Sequence, residues 1–156
     1  MAIREIRKIP DEILYKKCRE VTEFNDRLFT LLDDMYETMQ AANGVGLAGP
    51  QVGVLKRIAV IDIGEGPVVL INPVIEQADG EQTGDEGCLS LPGKAGQVTR
   101  PNHVVVRALN ENMEEYIIEG EELMARALCH EIDHLDGHMY TELVEGQVHD
   151  VTYEED

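Results

Sequence analysis

Two histidines four residues apart, with a glutamate between them, constrain this chain more than any other part of it. The run is His130-Glu131-Ile132-Asp133-His134. If residues 121–136 are helical, His130 and His134 stand one turn apart on one face and can share a metal ion. Glu131 lies beside them, able to reach water at such an ion without itself being a ligand. Upstream, Cys88 within Glu86-Gly87-Cys88-Leu89-Ser90 offers a thiolate as a third ligand, leaving one position of a tetrahedral site open. An open metal site beside a carboxylate base is the apparatus of hydrolysis.

The rest of the pattern suggests how such a site is framed. Residues 25–42 carry Leu28, Leu31, Leu32, Met35 and Met39 at helical spacing, with Gly44 as a stop signal. A glycine-rich turn follows over residues 44–53. Segments 54–63 and 67–76 read as strands, rich in β-branched residues and broken by Gly and Pro. Residues 103–109 and 114–119 read as a further pair around an Asn110-Glu111-Asn112 turn. The second helix begins with Glu121 and Glu122, acids suited to its positive end, and stops near Gly137. It is apolar on nearly every side of its histidines, which predicts burial. Buried histidines need partners. A metal supplies them, and so would backbone acceptors to neutral rings. Helix, strands, then helix predicts an α+β fold, with mixed or antiparallel sheets packed around a buried central helix that carries the motif.

At 156 residues the chain is long enough for one domain with a real core, and residues 1–156 are read as a single catalytic domain. Thirty-one acidic residues against thirteen basic give a formal charge of −18. That disfavours direct nucleic-acid binding and docking on an anionic membrane. No apolar run approaches a membrane span, and the start of the chain has no signal-peptide shape. Three cysteines without a disulfide-framework pattern favour a reducing compartment, so a cytoplasmic location is expected.

Three segments together, Gly44-Val45-Gly46-Leu47-Ala48-Gly49-Pro50-Gln51, Glu86-Gly87-Cys88-Leu89-Ser90 and His130-Glu131-Ile132-Asp133-His134, resemble the three motifs of peptide deformylases in order and spacing. One departure is Gly49, where the family usually has alanine; it is expected to loosen the turn slightly. The resemblance implies a hydrolase that removes the formyl group from the N-terminal formyl-methionine of nascent polypeptides. It implies that Cys88, His130 and His134 hold one divalent ion, usually Fe(2+) in the family. Spacing alone leaves zinc, iron, cobalt and nickel open. Glu131 would take a proton from water and deliver it to the departing amine. By resemblance, the Gln51 side-chain amide and the Leu89 backbone N–H would stabilise the oxyanion, and backbone groups of Gly46 and Gly87 would pair with the peptide. A methionine pocket must be apolar and is expected to include Val45, Leu123 and Ala127. Arg126 would be an unusual lining there and could contact the peptide instead; its role is left open.

Among the remaining titratable groups, Glu86 shares a strand face with Cys88, so its charge must be managed; Arg100 is the expected partner in a buried ion pair. Asp133 either orients a histidine or caps locally. Cys129 is read as packing, since helix neighbours do not face one another. Cys18, His103, His138 and His149 lack motif context. Two other classes compete with the deformylase reading. His-Glu-x-x-His also marks zinc endopeptidases, but an upstream cysteine ligand and the lack of a downstream ligand motif tell against one. A metal-binding or redox-sensing module would explain Cys88 and leave Glu131 and Gln51 unemployed. The acidic C-terminal tail from Glu142 argues against docking on ribosomal RNA, leaving at most transient proximity to the ribosome.

Overall fold

The computed structural model describes residues 2–151. After an extended opening segment, α1 spans Asp26–Ala41, and the Asn25 side chain accepts a hydrogen bond from the Leu28 N–H at its first turn. Its apolar stripe of Leu28, Leu31, Leu32, Met35 and Met39 is buried, as the spacing predicts. Eight strands follow the helix start in chain order: β1 (Gly46–Ala48), β2 (Ile58–Ile61), β3 (Val68–Asp79), β4 (Gln82–Cys88), β5 (Leu91–Arg100), β6 (His103–Leu109), β7 (Glu115–Glu121) and β8 (Glu145–Asp150). Between β7 and β8 lies α2, Leu123–Leu135.

The strands form two antiparallel sheets. One has five strands in the order β1-β2-β3-β6-β7; the other has three, in the order β4-β5-β8. β2 explains how the larger sheet holds both helices. Every residue of Ile58-Ala59-Val60-Ile61 is buried, and successive side chains point to opposite faces. Ala59 and Ile61 join Leu70, Val104, Val106, Leu128 and Leu135 in one core, on the α2 side. Ile58 and Val60 join Leu31, Met35, Met39 and Leu47 in the other, on the α1 side. Each fully buried aliphatic side chain contributes about 1.5–3 kcal/mol, so both helices are fixed to one strand by packing.

Several expectations from the sequence need correction. The stretch 44–53 is not only a turn: it makes the edge strand β1 and then a 3-10 turn, Gly49–Val52. The strand read over 54–63 is confined to Ile58–Ile61, because the backbone over 54–56 turns back on Gly49. The strand read over 67–76 runs on to Asp79, and the one read over 114–119 extends to Glu121. Glu121 and Glu122 therefore do not begin the second helix. Glu121 ends β7, and Glu122 has φ 54 with no side-chain cap, a sharp strand-to-helix corner rather than an acid-capped end. Gly120 permits that corner: a Cβ there would lie 2.6 Å from Met124 Cγ. The small sheet was not foreseen, and the segment read as an acidic tail supplies its third strand.

Candidate metal centre and active site

β4 and β5 are joined by a two-residue turn, Leu89-Ser90, with Cys88 paired to Leu91 across it. The turn carries Cys88 to the face of α2 that bears His130 and His134. Cys88 Sγ lies 3.4 Å from His134 Nε2, which lies 3.1 Å from His130 Nε2. The donor atoms of the three residues all fall within 4.8 Å of one another. A tetrahedral ion bound at roughly 2.05 Å to nitrogen and roughly 2.3 Å to sulfur would separate two nitrogens by about 3.3 Å, and nitrogen from sulfur by about 3.6 Å. The Cys88–His134 and His134–His130 spacings fit that geometry. Two ring nitrogens facing each other at such a distance hold at most one proton between them, which favours a cation.

The protonation of the two rings follows the same logic. Burial drives His134 well below the usual histidine range, reinforced by the charges of His130 and Arg100. Burial opposes a charge on His130 too, but hydrogen bonds with Cys88 and Glu86 outweigh it and raise that ring. His130 Nδ1 donates to Glu86 Oε2 at 2.6 Å, which turns Nε2 toward Cys88 and His134. Glu86 also accepts from Arg100 Nε at 3.1 Å, Arg100 Nη2 at 2.6 Å and Arg126 Nη1 at 2.8 Å. Burial alone would raise the Glu86 carboxyl; the bonds from His130 and Arg100 reverse this and keep it ionised. The expected Glu86–Arg100 pair is present and buried. Arg100 Nη1 reaches Asp133 as well, at 2.6 Å, so Asp133 holds the arginine rather than a histidine.

Glu131 is 3% exposed, and its Oε1 has no hydrogen-bond partner among the described residues. Burial pushes its carboxyl up to about 7, against the opposing charges of His130 and Arg100. It fits only because Gly46 has no side chain: a Cβ there would lie 2.2 Å from Glu131 Oε2. Gln51 is buried on the other flank. Its Oε1 accepts the Ala48 N–H at 2.9 Å, and its Nε2 donates to Ser90 Oγ at 3.0 Å and lies 3.4 Å from Cys88 Sγ. Beside this cluster is a cavity of about 370 Å³. Val45, Gly46, Gly87, Leu89, Leu123 and Ala127 all line it, together with Glu86, Glu131 and His130. Val45 and Leu123 are about half exposed, so they form its lip, whereas Ala127 is buried.

A family profile described as polypeptide deformylase matches residues 3–149. The chain belongs to the polypeptide deformylase family. It is 68% identical over 155 residues to a peptide deformylase of Agathobacter rectalis, covering 99% of this chain and 98% of that one. It is 59% identical over 160 residues to one of Lachnoclostridium phytofermentans, covering 100% and 98%. Among solved structures, a peptide deformylase from Thermotoga maritima superposes with a TM-score of 0.90 at 37% identity, covering 92% of this chain and 99% of that chain. A peptide deformylase from Ehrlichia chaffeensis in complex with actinonin gives 0.91 at 38% identity, covering 93% and 90%.

Two residues that the sequence singles out have close neighbours. At Gly49 a Cβ would lie 2.7 Å from Val54 O and 2.8 Å from Lys56 O, so the following backbone leaves no room for alanine without a shift. Arg126 lines the cavity but is buried, bonded to Glu86, and donates from Nη2 to Val98 O at 3.1 Å. The decoys fall outside the site. Cys18 and Cys129 pack in the core, where burial raises both thiols to about 11. His103 bonds to Asp79 and Glu119, His138 to Glu142, and His149 lies 3.7 Å from Asp85. Two residues near the site went unnoticed in the sequence. Ser90 holds Gln51, and Tyr140 stacks on the His130 ring with centroids 6.0 Å apart. Only the serine had a signal, its place in the turn beside Cys88.

Proposed function

We propose that residues 1–156 act as one catalytic domain, built around α2, that removes the formyl group from the N-terminal formyl-methionine of nascent polypeptides and releases formate. The convergence of Cys88, His130 and His134 beside the buried Glu131 carries this reading. Those three residues would hold one divalent ion, Fe(2+) by resemblance, although zinc, nickel and cobalt suit the same donors. When bound, the ion supplies Lewis acidity that activates water near neutral pH. Glu131 takes the proton of the attacking water and hands it to the departing amine. The Leu89 N–H and the Gln51 amide donate to the oxyanion that develops. Gln51 Nε2 donates one hydrogen to Ser90 Oγ and the other to Cys88 Sγ at 3.4 Å, and that second, long bond is the one an oxyanion of the substrate would replace. Backbone groups of Gly46 and Gly87 pair with the peptide, while Val45, Leu123 and Ala127 receive the methionine side chain. Among the described residues no helix is long and apolar enough to cross a membrane. A cytoplasmic enzyme near, but not docked on, the ribosome fits this reading.

The decisive experiment sets formyl-Met-Ala-Ser against acetyl-Met-Ala-Ser. The formyl carbon carries only hydrogen, so the site can close tightly where a peptidase must admit another residue. Formate and intact Met-Ala-Ser are expected, with at least a roughly tenfold slower reaction of the acetyl peptide. Cleavage at internal amide bonds, or equal rates on both peptides, would sink the reading in favour of an endopeptidase.

A further inference from the structure

Arg126 stands in the cavity wall, one helical turn before His130, and has no part in the chemistry above. Its surroundings give it another. The two oxygens of Glu86 are held unequally. Oε2 takes short bonds, each 2.6 Å, from His130 Nδ1 and Arg100 Nη2. Oε1 takes the longer 3.1 Å bond from Arg100 Nε and the 2.8 Å bond from Arg126 Nη1. Arg126 is itself anchored, since Nη2 donates to the main-chain oxygen of Val98 in β5. Without it, Oε1 keeps one long contact, and the carboxylate is freer to rotate about its terminal bond. That rotation carries Oε2 away from His130 Nδ1, the bond that aims Nε2 at Cys88 and His134.

We propose that Arg126 is a positioning residue for the His130 imidazole, acting through Glu86. The inference rests on the reading that Cys88, His130 and His134 hold the ion. The guanidinium is suited to the task because its planar fork serves Glu86 and Val98 at once; an ammonium at the same place is a point donor and serves one of them well. A charged side chain in a pocket expected to be apolar thus has a purpose that does not involve the peptide.

The test uses cobalt-loaded protein, whose cobalt–thiolate absorption reports ion and ligand set without any turnover. Chelator-driven loss of cobalt is timed for the wild type, Arg126→Met, Arg126→Lys and Leu128→Ala. The last weakens the packing of α2 in the apolar core shared with Ile61, Leu70 and Val104. Arg126→Met is expected to lose the ion about 10–100 times faster, with an altered spectrum. Arg126→Lys should lie nearer to Arg126→Met than to the wild type, and it carries the comparison alone if Arg126→Met does not fold. A release rate within twofold of wild type in the folded Arg126 variants overturns the proposal. So does equally fast release from Leu128→Ala at matched loss of melting temperature, which would make the role one of general stability. Wild-type protein that takes up no cobalt at Cys88 overturns the ligand assignment and this inference with it. Normal uptake with an indifferent Arg126 overturns this inference alone.

Discussion

The two helices of this protein follow opposite rules. α1 obeys local ones: Asn25 caps it, Asp26 sits in its first turn, and one buried stripe faces the sheet while Arg27, Thr30, Asp33 and Gln40 face solvent. α2 breaks them. It starts from a strained residue at φ 54 with no side-chain cap, has no acid in its first turn, and is buried at every position from Ala125 to Ile132. Among those buried positions are an arginine, a histidine and a glutamate. A helix with so little local support forms because β7, β2 and Glu86 surround it. The contrast teaches a division of labour: α1 supplies stability cheaply, and α2 spends tertiary support on holding ionisable groups where water cannot satisfy them.

That contrast can be broken by mutation, beginning with the largest effect. Glu131→Gln removes the proposed base and is expected to lower turnover by about 10²–10⁴-fold while metal content, measured by elemental analysis, stays level. Loss of the metal would show that Glu131 is a ligand. Cys88→Ser replaces a soft donor with a reluctantly ionised hard one, so metal affinity should drop by more than about tenfold in competition with a chelator. Gly46→Ala pushes a methyl into the Glu131 carboxylate, and activity should fall roughly tenfold or more with little change in melting temperature. The pH profile is a subtler probe of the same carboxylate. As a base it works only when ionised, so kcat/KM should fall as pH drops through its pKa. Burial places that limb above the ordinary 4.5 and a bound cation pulls it below about 7. A limb at or below 4.5 would show that the cation outweighs burial at this carboxylate. The smallest effect belongs to α1: Asn25→Ala should cost about 1 kcal/mol of folding stability by urea denaturation and leave activity per folded molecule unchanged.

The same contrast explains what could be read in the sequence. α1 was legible to within a residue or two because its cap and its stripe are both local signals. β6 was read with its full bounds, His103–Leu109, since Val104, Val106 and Ala108 alternate with less buried neighbours. The meeting of Cys88 with His130 and His134 was foreseeable from spacing and donor chemistry. The β4-β5-β8 sheet was not. Gln82-Thr83-Gly84-Asp85-Glu86-Gly87-Cys88 and Glu145-Gly146-Gln147-Val148-His149-Asp150 are poor in β-branched residues and rich in glycine and charge, so only pairing to neighbours makes them strands. The role of Arg126 stayed open for a related reason. On a largely apolar helix an arginine can serve solvent, substrate or a buried acid, and only the fold reveals the carboxylate opposite it.

Cys88 and His134 are 46 residues apart in the chain, and nothing between them keeps them together until the strands have paired. Synthesis runs from the N-terminus, so a growing copy has made its thiol-bearing turn long before the two imidazoles exist. Such a copy has a sulfur without its nitrogens and a glutamine without its glutamate. Chemical competence therefore arrives all at once, when the last long-range contact closes. An enzyme whose substrates are themselves unfinished chains is thereby inert while it is one of them.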